Sequence, residues 1–148
     1  MGFVPLPLVL TLFTAVTPAA SPLPWSDARF QELLVDGTIT TMEQACLDPK
    51  AAGTKLRKQQ LRDRLLAIHP VPASFDLTMR HAGALLTCGS PEGTALVLNR
   101  FSPARGDERR RWLMLRWQAA AAALDHRQAA LALRRLVDGN VATLDEIT

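Results

Sequence analysis

The chain has 148 residues, 48% of them hydrophobic, with a net charge of +3, two cysteines and no tyrosine. That length supports one domain whose core needs no staple, and β-branched residues are sparse after Val16, which leaves little material for sheets. Ala, Leu, Arg and Gln are good helix formers, so an all-α fold follows.

In chain order, the first feature is a stretch from Met1 to Ser26 with no charged side chain. Phe3 to Val16 forms an apolar core, and Thr17-Pro18-Ala19-Ala20-Ser21 supplies small residues of the kind a signal peptidase accepts. Residues 1–19 therefore read as a signal peptide cut after Ala19, and residues 20–26 as a proline-rich linker. The body is a single all-α domain over 27–148. Two other readings of the first segment stand beside this one, a retained membrane anchor and an ordinary buried segment. A spanning helix needs roughly 20 apolar residues, whereas Pro5, Pro7, Pro18, Pro22 and Pro24 confine the usable helix to Leu8–Thr17. Neither Lys nor Arg precedes the apolar core, so the amino terminus alone carries the usual positive charge.

Ser26 is placed to cap a first helix carrying Phe30, Leu33 and Leu34, stopped at Asp36-Gly37. Thr40-Thr41-Met42-Glu43 reads as a capping box opening a second helix that holds Cys46 and ends before Asp48-Pro49. A third helix, about Thr54 to Ile68, presents Leu61, Leu65 and Ile68 on one face and halts at His69-Pro70-Val71-Pro72. Ser74 opens a fourth with the stripe Leu77, His81, Ala84, Leu85 and Cys88, ended by Gly89. Ser90-Pro91-Glu92 starts a fifth, with serine as the cap and proline at the first helical position, running to about Arg100. Asp107 and Glu108 lead a long sixth helix through Trp112, Leu113, Trp117 and five alanines to Leu124. Asp125 caps a seventh, with Ala129, Leu133, Leu136 and Val137 on one side, ended at Asp138-Gly139. Thr143-Leu144-Asp145-Glu146 is a further capping box with almost no chain after it, which predicts a truncated or partner-completed end.

Short helices joined by tight turns predict stacked hairpins. Ala95-Leu96 aligns with Ala130-Leu131 at a spacing of 35 residues, which also pairs Ala84 with Ala119, Leu98 with Leu133, Arg100 with Arg135, and Gly89-Ser90 with Leu124-Asp125. On these residues the segment from Ser74 to Val137 resembles the tetratricopeptide family of helical-hairpin repeats. The resemblance implies a small α-solenoid in which Ala95 and Ala130 are the small residues of the second helices. It also implies a partner-binding surface formed by successive first helices. The family's aromatic positions are mostly unfilled in this chain.

Cys46 and Cys88 predict one disulfide if the chain is exported to an oxidising compartment, or two buried thiols otherwise. No catalytic, cofactor-binding or metal-binding residue is expected. His69, His81 and His126 lie on separate segments, and His81 with Cys46 and Cys88 falls short of a tetrahedral zinc set, so a histidine bonded to a backbone carbonyl is expected instead. Gly89-Ser90-Pro91-Glu92-Gly93 resembles a nucleophile elbow but has proline at the central position and no strand before it. The pairs Asp107-Glu108 and Asp145-Glu146 sit at helix starts, where the dipole favours acid.

Acidic residues dominate from Asp27 to Asp48 and basic residues from Lys55 onward. On the sixth helix Trp112 and Trp117 point about 140° apart; Trp117 is expected in the core, and Arg109, Trp112 and Arg116 as an exposed basic and aromatic strip. The function these features predict is a non-catalytic, exported helical-repeat scaffold of bacterial type, binding an acidic peptide or an anionic envelope polymer and no nucleic acid. Two alternatives remain, a helical accessory region of a larger cell-envelope enzyme and a small membrane-anchored subunit of a membrane complex. Membrane contact, where it occurs, is expected through residues 1–24.

Overall fold

A computed structural model of the chain describes residues 25–71 and 73–137. The expectations for the segment before Trp25 (signal, anchor and most of the linker), for the stop at Asp138-Gly139 and for the capping box at Thr143 lie outside the described residues. The all-α expectation holds: seven helices and no strand occur among the described residues.

Helix α1 (Asp27–Asp36) starts where the Ser26 hydroxyl accepts from Arg29 N–H at 3.2 Å. Helix α2 (Ile39–Leu47) has its cap two residues before the predicted one at Thr40. Thr38 is its cap, and the box is a reciprocal pair of threonines. Thr41 N–H donates to Thr38 Oγ1 at 3.2 Å and Thr38 N–H donates to Thr41 Oγ1 at 2.8 Å. The earlier start brings Ile39 into the helix, where it shares a buried face with Met42 and Ala45, and burial decides between two otherwise adequate caps. Glu43 is thereby released, and its carboxylate accepts from the Thr87 hydroxyl at 3.1 Å.

Helix α3 (Lys55–Ala67) is capped by Thr54 and buries Leu61 and Leu65. Helix α4 (Phe75–Thr87) is capped by Ser74, and its predicted stripe is its core face, with His81, Ala84, Leu85 and Cys88 buried. Helix α5 (Pro91–Leu98) has proline in its first turn but no side-chain cap from Ser90. Helices α6 (Asp107–Ala122) and α7 (His126–Leu136) complete the body, the latter capped by Asp125, which accepts from Gln128 N–H at 3.0 Å.

The helices pair as hairpins α2/α3, α4/α5 and α6/α7, with α1 laid against α2 and α3. Their second helices begin at residues 55, 91 and 126, thirty-six and thirty-five residues apart. Within the stack α4 packs between α2 and α6, and α5 lies against α3, α4 and α6.

The turns of the last two hairpins are superimposable in their hydrogen bonds. Ser90 N–H donates to Leu85 O and Gly89 N–H to Leu86 O, each at 2.9 Å. Thirty-five residues on, Asp125 N–H donates to Ala120 O at 2.9 Å and Leu124 N–H to Ala121 O at 3.1 Å. This is the Schellman arrangement, which needs a left-handed residue after the C-cap, and φ is +73° at Gly89 and +58° at Leu124. It also explains the missing cap at Ser90. There the backbone ψ is 71° rather than extended, because the N–H is already committed to Leu85. Asp125 has a similar ψ of 79°, and its side chain, one bond longer, still reaches the helix.

Neighbouring hairpins are joined by ring N–H groups bonded to helix-end carbonyls, each of which also accepts one backbone bond, Leu65 O from Ile68 N–H and Leu98 O from Phe101 N–H. His81 of α4 donates through Nε2 to Leu65 O of α3 at 2.7 Å, and Trp112 of α6 donates through Nε1 to Leu98 O of α5 at 3.0 Å. Arg62 of α3 donates to Cys88 O at 2.7 Å, just past the end of α4. The Cys46–Cys88 disulfide ties the end of α2 to the C-cap of α4, so the alternative of two buried thiols does not apply.

Candidate interaction groove

The expected strip of Arg109, Trp112 and Arg116 does not form an exposed surface. Trp112 is buried with its indole N–H on Leu98 O. Arg116 lies over the Trp112 ring, 5.0 Å from its centre, and donates to Asn99 Oδ1 at 2.6 Å. Arg109 donates to Pro103 O at 3.3 Å. All three face α5 and the loop that follows it, and they hold α6 in place. The expected roles of the two tryptophans are exchanged: Trp112 is in the core and Trp117 is only half-buried. The physical reason is the donor. A buried indole needs an acceptor, and the last carbonyls of α5 offer one on the Trp112 side.

The open face of α6 is its neighbour on the helical wheel. Arg110, Met114 and Gln118 follow one another at four-residue intervals, with Arg111 and Leu115 beside them, and together they face Asp76, Met79, Arg80 and Gly83 of α4. These two rows enclose a groove of about 730 Å³ between consecutive first helices. Met79 and Leu115 rest on the hydrophobic core and form an apolar floor. Arg111 makes a long, exposed ion pair with Asp76 at 3.5 Å and lies 5.2 Å from the centre of the Phe75 ring. A pair this exposed is worth well under about 1 kcal/mol. Arg80 and Arg110 are exposed and have neither a hydrogen bond nor an ion pair among the described residues. The groove therefore combines an apolar base with uncompensated positive charge.

Sequence reading missed this row because α6 carries charged and apolar side chains around most of its circumference. Its stripe cannot be assigned until the position of α5 is known. The usable signal was the four-residue series 110, 114, 118 opposite the series 76, 80 and 83 on α4.

Other concavities differ in their lining. A space of about 620 Å³ between α1 and α2 is closed at one side by Trp25. The Trp25 indole donates to Asp48 at 2.6 Å and, with the Lys50 amide, holds that carboxyl below the ordinary range, while Arg29 stacks on the ring. A cleft of about 610 Å³ at the start of α6 gathers Arg105, Arg109, Arg110 and Arg135. A small hollow of about 150 Å³ reaches His81, whose proton affinity is lowered by burial and partly restored by the Leu65 carbonyl. The exposed His69 lines the same hollow, His126 is exposed on α7, and no group of three His, Cys, Asp or Glu among the described residues is placed to hold a metal ion. Asp107 and Glu108 stand exposed in the first turn of α6.

No helix among the described residues is long and apolar enough to cross a membrane. No protein-family model matches the chain, and no curated protein and no solved structure matches it.

Proposed function

We propose that this chain is a non-catalytic, exported interaction scaffold of the tetratricopeptide-like kind, which binds a protein partner in the groove between α4 and α6. The observation that carries the reading is the groove itself, which Met79, Met114 and Leu115 line together with Arg80 and Arg110, neither of which has a partner among the described residues. In helical-hairpin stacks, successive first helices form the extended concave surface that meets partners. Support for a repeat comes from the two Schellman turns set 35 residues apart, with φ of +73° and +58° at the equivalent positions. Support for export comes from the uncharged leader Met1–Ser26 together with the Cys46–Cys88 bond, a combination suited to an oxidising compartment. The interaction surface is corrected from Arg109, Trp112 and Arg116 to the adjacent row on the same helix.

A photo-crosslinking amino acid placed at Met114 in the native host tests the reading, with the same group at Arg127 on the outer face of α7 as the control. The expected result is a discrete protein adduct from position 114 that position 127 does not give. Identical patterns from both positions, or none from either, would remove the scaffold reading. Sequencing of the mature amino terminus tests export, with Ala20 as the expected first residue.

A further inference from the structure

The groove also indicates what form its occupant takes. Gly83 sits in the interior of α4, at the ninth of its thirteen residues, where glycine is the poorest helix former after proline. Nothing among the described residues requires it. A methyl group at Gly83 would have no atom within 4 Å, since the position opens directly into the groove. A missing side chain there benefits only something that enters the groove and approaches the backbone of α4 closely. Helices approach each other closely at just such small residues. The apolar floor of Met79 and Leu115, with Met114 lining the groove beside it, wants an apolar stripe, and Arg80 and Arg110, which have no partner among the described residues, want carboxylates. Methionine-rich floors are adaptable receivers of helical ligands.

We infer that the groove between α4 and α6 receives an acidic amphipathic helix from another protein, seated over Gly83, with its carboxylates on Arg80 and Arg110. This rests on the reading of the chain as an interaction scaffold. An anionic polysaccharide would use the arginines but would have no use for the apolar floor or for the gap above Gly83.

The test is fluorescence anisotropy with a labelled 21-residue synthetic helix, leucines on one face and glutamates on its flanks, against the folded chain. Binding should weaken roughly tenfold in Gly83→Phe and in Arg80→Glu/Arg110→Glu, and the charge-reversal variant should lose most of its salt dependence. Gly83→Ala should bind within a few-fold of the parent and melt about 4 °C higher. Should Gly83→Phe not fold, as its melt would show, the charge-reversal pair carries the test, because both arginines are exposed. Equal binding of a peptide with the same charge but scrambled leucines would overturn the helix and leave a polyanion site. Unchanged binding in Gly83→Phe would overturn the seating over α4. A crosslink from Met114 to residues 138–148 of the same chain, which carry Asp138, Asp145 and Glu146, would overturn a separate partner. If the in-cell adduct at Met114 forms yet survives Gly83→Phe, the scaffold reading stands and this inference alone fails.

Discussion

Leu124 is the only non-glycine residue with positive φ among the described residues, and its side chain is 75% exposed. A left-handed residue other than glycine costs about 1–2 kcal/mol, and an exposed leucine recovers almost nothing in packing. Leu124→Gly should therefore raise the unfolding free energy by about 1 kcal/mol in urea melts, despite glycine's larger entropy when unfolded. At the equivalent Gly89, φ is +73° and a Cβ would lie 2.8 Å from the Arg62 guanidinium, so Gly89→Leu should destabilise instead. His81 offers a second reading at this scale. It is 1% exposed, its Nε2–H is on Leu65 O, and burial holds its proton affinity below the ordinary value of about 6.5. The folded state therefore resists a proton that the unfolded chain accepts. Stability is full above about pH 6.5 and falls as pH drops below it, by at most about 1.4 kcal/mol per pH unit for one group. His81→Gln, which retains a donor, should flatten that difference between pH 7.5 and 5.0.

At the scale of elements, caps that depend only on local chemistry were legible in the sequence, and those that compete with burial or with a turn were not. Ser26, Ser74 and Asp125 cap where the hydroxyl or carboxylate precedes the apolar periodicity, as the sequence predicts, and Thr54, expected only as the start of the third helix, is its cap. The second helix starts at Ile39 because that residue's burial outweighs a cap at Thr40. Ser90 reads as a cap but its backbone belongs to the preceding helix's Schellman turn. The difference is measurable: Asp125→Ala should cost about 1 kcal/mol, and Ser90→Ala almost nothing by way of capping. The site was partly legible. That the sixth helix carries the basic surface follows from Arg109, Arg110, Arg111 and Arg116 in the sequence. Which of them are committed to α5 does not, because an indole N–H and a carbonyl fourteen residues earlier had to meet before the face of α6 was decided.

The whole molecule is joined unevenly, and that has a consequence for how it comes apart. The Cys46–Cys88 bond links the first hairpin to the second across 42 residues of sequence, while the third hairpin packs on α4 and α5 and is joined by no disulfide. Arg57 adds to the same end, lying 4.7 Å from the centre of the Phe30 ring and pairing with Asp27 at 2.6 Å. Because Asp27 is almost wholly exposed, that ion pair counts for little against salt and water. The chain-entropy model gives about 4 kcal/mol for closing a loop of this size, a large share of the stability of a domain this small. In a stack whose units touch mainly their neighbours, such a loss need not spread evenly. Cys46→Ala/Cys88→Ala should lower the global unfolding free energy by up to about 4 kcal/mol and free the contact between α2 and α4 first. Native-state hydrogen exchange should then show α1 and α2 amides exchanging well before those of α6, where Trp112 stays bonded to Leu98 O of α5 and Leu113 stays buried. Uniform acceleration across all seven helices would mean that the molecule unfolds as one unit and that the disulfide acts on the denatured chain alone.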